Sequence, residues 1–333
     1  MSHDFFIDKL EYIESCPYCN TSRFIPEIHG VEDFSFGVVS GMWSYYRCVS
    51  CSTLLLNPRI KKDFISEAYR NYYTHSVDVP LTFFSRMRVK VKNEWFSQLS
   101  EVKFEPRLSS FRFLIKLLII IFKKNKLPFG IDYLANAKPS RFLDYGCGSG
   151  YYINIAKNLG WDSFGVDFDK DALLVAKNLG LKVFSENIDL NSLPKFDCIL
   201  CSHVIEHVYD PKALLSKFSE ILNPGGVLLI SSPCSNSNML RIFGKYWRGL
   251  EAPRHIAIPS ISSLVQVLEK LNFDVIQVMP NKDETSHESI RFMYRGNGVG
   301  LLDIIIVKIL RLFINSNEKS VDFIKLKCIK KKI

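Results

Sequence analysis

The segment that most restricts the fold is a short apolar strand running straight into a glycine-rich turn and then a helix. Arg141-Phe142-Leu143-Asp144-Tyr145 has the apolar content of a buried strand, and Gly146-Cys147-Gly148-Ser149-Gly150 follows without a spacer. Residues 151–159 then read as a helix. Glycines at alternate positions let the backbone turn tightly and approach a ligand that a Cβ would repel. A second strand, 162–166, leads to Asp167, about 20 residues past the glycines, where an acid can accept both hydroxyls of a ribose. Gly-x-Gly-x-Gly is not the Gly-x-Gly-x-x-Gly of dinucleotide folds, which weighs against a nicotinamide cofactor. Residues 196–201 read as another buried strand. After them come Ser202-His203-Val204-Ile205-Glu206-His207-Val208, a helix over 212–221, Asn223-Pro224-Gly225-Gly226 and a strand over 227–231. Strand–turn–helix alternation from 140 to 280 predicts a doubly wound, Rossmann-like α/β sheet of parallel strands with crossover helices.

These residues resemble the class I S-adenosylmethionine-dependent methyltransferases. Leu143-Asp144-Tyr145-Gly146-Cys147-Gly148-Ser149-Gly150 is similar to the family's first motif, which implies that the turn lies against the methionine part of the cofactor. By the same resemblance Gly165-Val166-Asp167-Phe168-Asp169 carries the acid that grips the ribose, Asn187 and Ile188 stand where the family contacts adenine, and Ser202 and His203 complete the cofactor set.

Upstream, Cys16-Pro17-Tyr18-Cys19 and Cys48-Val49-Ser50-Cys51 form two Cys-x-x-Cys knuckles 28 residues apart. Each presents two thiolates to one cation, and together they complete a closed tetrahedral shell, which makes the expected metal a structural zinc. The intervening Phe34, Phe36, Val38, Val39, Gly41, Trp43 and Tyr45 suggest short strands, the layout of a zinc ribbon. With no leader-like start before Leu10, the nine cysteines read as thiols and metal ligands, and the cytoplasm is the expected compartment.

Transfer of an activated methyl is dominated by positioning, and a hydroxyl acceptor also needs a base. His207, after the fourth core strand, and His255, in Glu251-Ala252-Pro253-Arg254-His255, are the candidate catalytic bases. Each also has a purely structural alternative, a cap or a backbone partner. Pro-Arg-His in this place resembles a bacterial group of cell-envelope sugar and lipid methyltransferases. Zinc-domain sugar C-methyltransferases share both histidines but have tyrosine and glutamate where this chain has Ala252 and Arg254. That difference favours oxygen as the acceptor atom, and Arg254 would suit a carboxylate or phosphate on the substrate. His203-Val204-Ile205-Glu206-His207 also resembles the Glu-x-x-Glu-His of ubiquinone-pathway O-methyltransferases, where it has a metal role, with His203 replacing the first glutamate.

The formal charge of +9 is compatible with nucleic acid, anionic lipid or phosphorylated substrates and selects none of them. Lys325, Lys327, Lys330, Lys331 and Lys332 read as a solvated tail. The ribbon has few cations, which disfavours an RNA methyltransferase. The intact glycines and Asp167 disfavour a non-catalytic binding protein. Residues 111–122 and 301–314 are apolar with interspersed cations, too short and too charged to span a bilayer. They are expected either to touch the inner membrane face peripherally or to pack as a lid. The expected organisation is a zinc ribbon at 1–60, a helical segment at 61–137 with Tyr69, Tyr72 and Tyr73 facing the acceptor, a methyltransferase core at 138–280, and a helical extension at 281–333. Residues 236–250, with Trp247 and Arg248, are expected to close over a small-molecule or glycoconjugate acceptor.

Overall fold

The computed structural model describes residues 7–70, 83–99, 103, 112–122, 127–281, 285–294 and 322–332. The chain divides into two compact units, one of Met1–Tyr72, Cys201–Glu220 and Val227–Ile333, the other of Tyr73–Leu200 and Ile221–Gly226.

The first unit opens with β1 (Leu10–Glu11), β2 (Phe24–Val31), β3 (Trp43–Cys48), β4 (Leu54–Leu56) and β5 (Arg59–Ile60). β1 pairs antiparallel with β5. β2, β3 and β4 form an antiparallel sheet. The expected strands around Phe34, Phe36, Val38 and Val39 are instead a loop wound about one carboxylate. Asp33 accepts from the amides of Phe36 (3.2 Å), Val38 (3.0 Å) and Val39 (3.3 Å), so those donors never reach a strand partner. Trp43 and Tyr45 do lie on β3.

The second unit holds α1 (Phe83–Leu99), α2 (Arg112–Phe122), α3 (Ile131–Asn136), β6 (Arg141–Tyr145), α4 (Tyr151–Asn158), β7 (Asp162–Asp167), α5 (Lys170–Asn178) and β8 (Lys182–Ser185). β6, β7 and β8 run parallel in register, Leu143 opposite Phe164 and Val166 opposite Phe184. Asp169 starts α5 by accepting from the amides of Asp171 and Ala172, an N-cap that satisfies two otherwise orphaned donors. Ile153, Leu173, Ala176, Leu181 and Val183 pack with Cys147 as the core beneath this layer. Among the described residues no helix is long and apolar enough to cross a membrane.

β9 (Phe196–Ser202), α6 (Pro211–Ile221) and β10 (Leu222–Pro233) follow, then α7 (Asn238–Phe243), β11 (Ala257–Ile258), α8 (Ile261–Lys270), β12 (Phe273–Asn281), α9 (Ser286–Met293) and β13 (Phe323–Lys330). The main sheet has seven strands in the order β12-β13-β10-β9-β6-β7-β8. Asn223-Pro224-Gly225-Gly226 lies in the first part of the twelve-residue β10. One expectation fails here. The lysine-rich end is not a free tail: β13 pairs antiparallel with both β10 and β12. Ile324, Leu326 and Cys328 are fully buried, with Lys325 and Lys327 alternating between them, so a period-two pattern lies under the charges. Residues 301–314 lie outside the described residues.

Candidate functional site

The glycine turn is built as the spacing requires. The amides of Gly146 (2.8 Å) and Cys147 (3.1 Å) donate to the Val166 carbonyl, and Gly148 N–H donates to Asp167 Oδ2 at 2.7 Å. Asp167 Oδ1 accepts from Asp169 N at 2.9 Å, so the acid is aimed by two backbone amides and keeps lone pairs on both oxygens. Gly150 begins α4 at φ +88°, and a Cβ there would stand 2.4 Å from Leu181 Cδ1. Gly165 is equally constrained: a Cβ would meet Ile153 Cδ1 at 2.2 Å and Cys147 Sγ at 2.7 Å. Asp144, at the end of β6, is buried. Burial and the negative charge of Asp167 push its carboxyl up to about 8. Asp167 is also raised, mainly by burial, with its backbone donors pulling the other way. Phe168 is exposed beside Asp167, while Asn187 is exposed and Ile188 partly so in the segment after β8.

The other predicted residues gather in the first unit. Ser202 ends β9, and His203 follows in a left-handed conformation (φ +57°) with its ring against Phe323. The rings of His207 and His255 meet edge to face, centroids 4.6 Å apart. His207 Nδ1 lies 3.0 Å from the Arg254 carbonyl and 3.0 Å from the Tyr69 hydroxyl, and His255 Nδ1 lies 2.7 Å from the Gly249 carbonyl. A carbonyl only accepts, so each Nδ1 carries the proton and each Nε2 keeps its lone pair. Burial pushes His207 down to about 4 and His255 well below the usual histidine range. Tyr69 thus joins the histidines, whereas Tyr72 and Tyr73 lie outside the described residues.

Beside the histidines stands the acid of the Glu-x-x-Glu-His resemblance, Glu206, which was not among the candidate bases. Glu206 is fully buried, and burial, set against hydrogen bonds from its own amide and the Ser232 hydroxyl, lifts its carboxyl to about 8. One oxygen of Glu206 and one ring nitrogen each from His207 and His255 lie within 4.8 Å of one another. Glu206 lies in the short helical turn Ile205–His207, just past the end of β9.

One expectation about the acceptor side is corrected. Arg254 is not available to a substrate anion. Its guanidinium is fully buried, paired with Asp33, 3.3 Å from Glu251 Oε1 and 3.0 Å from the Ala68 carbonyl, and stacked on Phe36. Trp247 is buried, with Nε1 donating to Asp322 Oδ1 (2.9 Å) and within reach of Thr285 Oγ1 (3.1 Å).

The cysteine knuckles converge. Cys16 and Cys51 Sγ are 3.6 Å apart, Cys19 and Cys48 Sγ 3.5 Å, and all four sulfurs fall within 4.8 Å. Those separations are near the roughly 3.8 Å edge of a tetrahedron with 2.3 Å metal–sulfur bonds. The knuckles share one construction. Asn20 N–H donates to Cys16 O and Ser52 N–H to Cys48 O, with Asn20 and Ser52 both in the left-handed region.

A family profile described as a methyltransferase domain matches residues 122–278. The chain carries a methyltransferase domain. Relatives agree over part of their length. A ubiquinone biosynthesis O-methyltransferase from Alkalilimnicola ehrlichii is 30% identical over 118 residues, 32% of this chain and 48% of that protein. One from Cereibacter sphaeroides is 34% identical over 117 residues, 32% of this chain and 47% of that one. The chain thus spans about half the length of the curated relatives it matches. A magnesium protoporphyrin IX methyltransferase from Synechocystis PCC 6803, solved with bound SAH, is 14% identical with a TM-score of 0.43, over 80% of this chain and 96% of that one. This methyltransferase domain contains the glycine turn, Asp144 and Asp167, as well as Glu206 and both histidines.

Proposed function

We propose that this chain transfers a methyl group from S-adenosylmethionine to a hydroxyl of a small molecule or cell-envelope glycoconjugate. The observation that carries the cofactor assignment is the pair Asp144 and Asp167 at the glycine turn. Two buried acids, both pushed upward, suit a ligand that brings positive charge and a ribose diol. Asp167, aimed by Gly148 and Asp169, would hold the ribose hydroxyls, and Asp144 would answer the cationic methionine end. When bound, the cofactor supplies a sulfonium methyl as the electrophile. Phe168, Asn187 and Ile188 are the candidates for the adenine side. The relatives named as O-methyltransferases support oxygen as the acceptor atom.

Cys16, Cys19, Cys48 and Cys51 would hold a structural zinc, with four thiolates closing the shell and leaving no position for substrate. Native mass spectrometry with added S-adenosylmethionine tests both assignments together. One zinc and one cofactor per chain is expected, and zinc without cofactor at saturating concentration would sink the enzyme reading.

Peripheral contact with an anionic membrane is a further part of this reading. On α2, Phe113 is 82% exposed, Leu114 and Leu117 are exposed, and Arg112 and Lys116 are exposed cations beside them. Such a helix can lie in a headgroup interface. Flotation with phosphatidylglycerol vesicles should carry the protein, and Phe113→Ser with Leu117→Ser should release it. A wild-type chain left behind by those vesicles removes the membrane from the proposal.

A further inference from the structure

S-adenosylmethionine ends in an amino acid, so a site that takes it must answer a carboxylate as well as an ammonium and a sulfonium. The acids at the glycine turn suit only the cations. Burial and the charge of Asp167 already raise Asp144, and a further carboxylate beside them would add to the repulsion. Several cations of the second unit have partners elsewhere. Arg141 and Lys182 meet Asp162 at the starting ends of β6, β7 and β8, away from the turn that follows Tyr145. Lys157 donates to the Gly180 carbonyl near the far end of α4, and Arg112, on α2, pairs with Glu94.

Lys92 is placed differently. It is exposed on α1, one turn before Phe96, and Phe96 anchors α1 against α4 by packing with Leu127, Ile131 and Ile155. The Lys92 ammonium lies 4.4 Å from the ring centroid of Tyr151 and 5.6 Å from that of Phe96. Tyr151 is the first residue of α4 and follows Gly150 directly. Lys92 makes no hydrogen bond or ion pair among the described residues, so its three N–H donors are open to a ligand.

We propose that Lys92 is a further cofactor-binding residue, which takes the carboxylate of the methionine end. The inference deepens the methyltransferase reading above and rests on it. Asp144 and Lys92 then divide the zwitterion between them, the acid answering the ammonium and the lysine the carboxylate. The two rings restrict the lysine before the ligand arrives, so binding costs less rotamer freedom than it would for an unsupported side chain. A packing role, in which the Lys92 stem only covers Phe96 and Tyr151, predicts no preference for a ligand carboxylate.

The test is calorimetry on the full chain with two ligands, S-adenosylhomocysteine and its decarboxylated analogue. The analogue keeps the nucleoside, the thioether and the amine and lacks only the carboxylate. Wild type is expected to bind S-adenosylhomocysteine about threefold to tenfold more tightly, the range of one charge-assisted contact at a partly exposed site. Lys92→Ala should remove that preference by weakening S-adenosylhomocysteine alone. Lys92→Met, which keeps the stem on the rings and removes the charge, should do the same, and Lys92→Arg should keep most of the preference. Added salt should shrink the preference in wild type and change little in Lys92→Met. Equal weakening of both ligands in Lys92→Ala overturns the proposal, because it marks a packing role. So does a preference that survives in Lys92→Met, or a wild-type chain that binds the two ligands equally. In each of those outcomes wild type still binds S-adenosylhomocysteine, and this inference fails alone. If neither ligand binds wild type, the methyltransferase reading fails with it. The wild-type comparison needs no variant, so a misfolded mutant does not remove the test.

Discussion

Replacing Glu206 by glutamine should change how stability depends on pH, in a direction fixed by the geometry. Burial, helped by the charge of Glu251, lifts this carboxyl from the ordinary glutamate range to about 8. The folded chain therefore holds this proton to higher pH than the unfolded chain does. Between about pH 4.5 and 8 the native state binds more protons at this site, so its contribution to stability falls as pH rises and levels off above the folded value. At about 1.4 kcal/mol per factor of ten, the ionised carboxylate costs the fold on the order of 5 kcal/mol at pH 9, an upper bound because water entering the cluster would lower it. Glutamine has nearly the same shape and cannot ionise. Urea unfolding of both proteins at intervals from pH 5 to pH 9 should give a stability difference that moves steadily in favour of Glu206→Gln, by about 3–5 kcal/mol over the range. His207 and His255, both lowered, lose stability toward acid in both proteins and largely cancel in the difference. Above pH 7 they are neutral in either state. A difference that stays flat across the range, or that moves in favour of wild type as pH rises, would refute the account of Glu206 as an acid that burial holds protonated.

Cofactor affinity should rise with pH between about 6 and 8, by up to about tenfold per pH unit, because Asp144 must ionise to meet a cationic ligand. Calorimetry in two buffers of different ionisation enthalpy should show the proton released. Arg254→Ala should cost about 3–5 kcal/mol in denaturant unfolding by stranding Asp33, and replacing both partners by apolar residues should recover much of that loss. Chelation of the metal, or Cys48→Ser, should expose residues 16–56 to limited proteolysis while residues 141–185 stay protected.

The parts of the fold that could be read from sequence are those whose signal is local. β6, the glycine turn and α4 follow one another with no intervening loop, and Asp167 falls at the end of the next strand where spacing placed it. The cysteine knuckles are equally local, each closed by its own backbone turn. β13 was hidden because five lysines outweighed the alternation of Ile324, Leu326 and Cys328, which only a strand pairing on both sides reveals. Arg254 was misread for a different reason. Its partner Asp33 lies 221 positions away, and a cation in a motif gives no sign of whether its counter-charge comes from the substrate or from the protein. Glu206 carries the same lesson in reverse. Histidines near neutrality draw attention as bases, but both are tied through Nδ1 and buried, and the acid beside them is the group that burial pushes up.

The Asp33–Arg254 pair also bears on what a metal held by the four cysteines would do. A closed shell of four thiolates usually folds only its own module. Here the ribbon is continuous with the segment that carries His255. The Tyr45 hydroxyl lies 2.6 and 2.7 Å from the Leu250 and His255 carbonyls, β4 pairs with β11, and the Ser260 hydroxyl donates to the Cys51 carbonyl. Arg254, held by Asp33, offers its own carbonyl to His207 Nδ1. Each contact fixes backbone within a few residues of the rings that line the Glu206 cluster. Loss of zinc would therefore free the two carbonyls that set the histidine tautomers and admit water to Glu206. Its carboxyl would then return toward ordinary glutamate behaviour, and the pH-dependent advantage of Glu206→Gln should shrink in the metal-free protein.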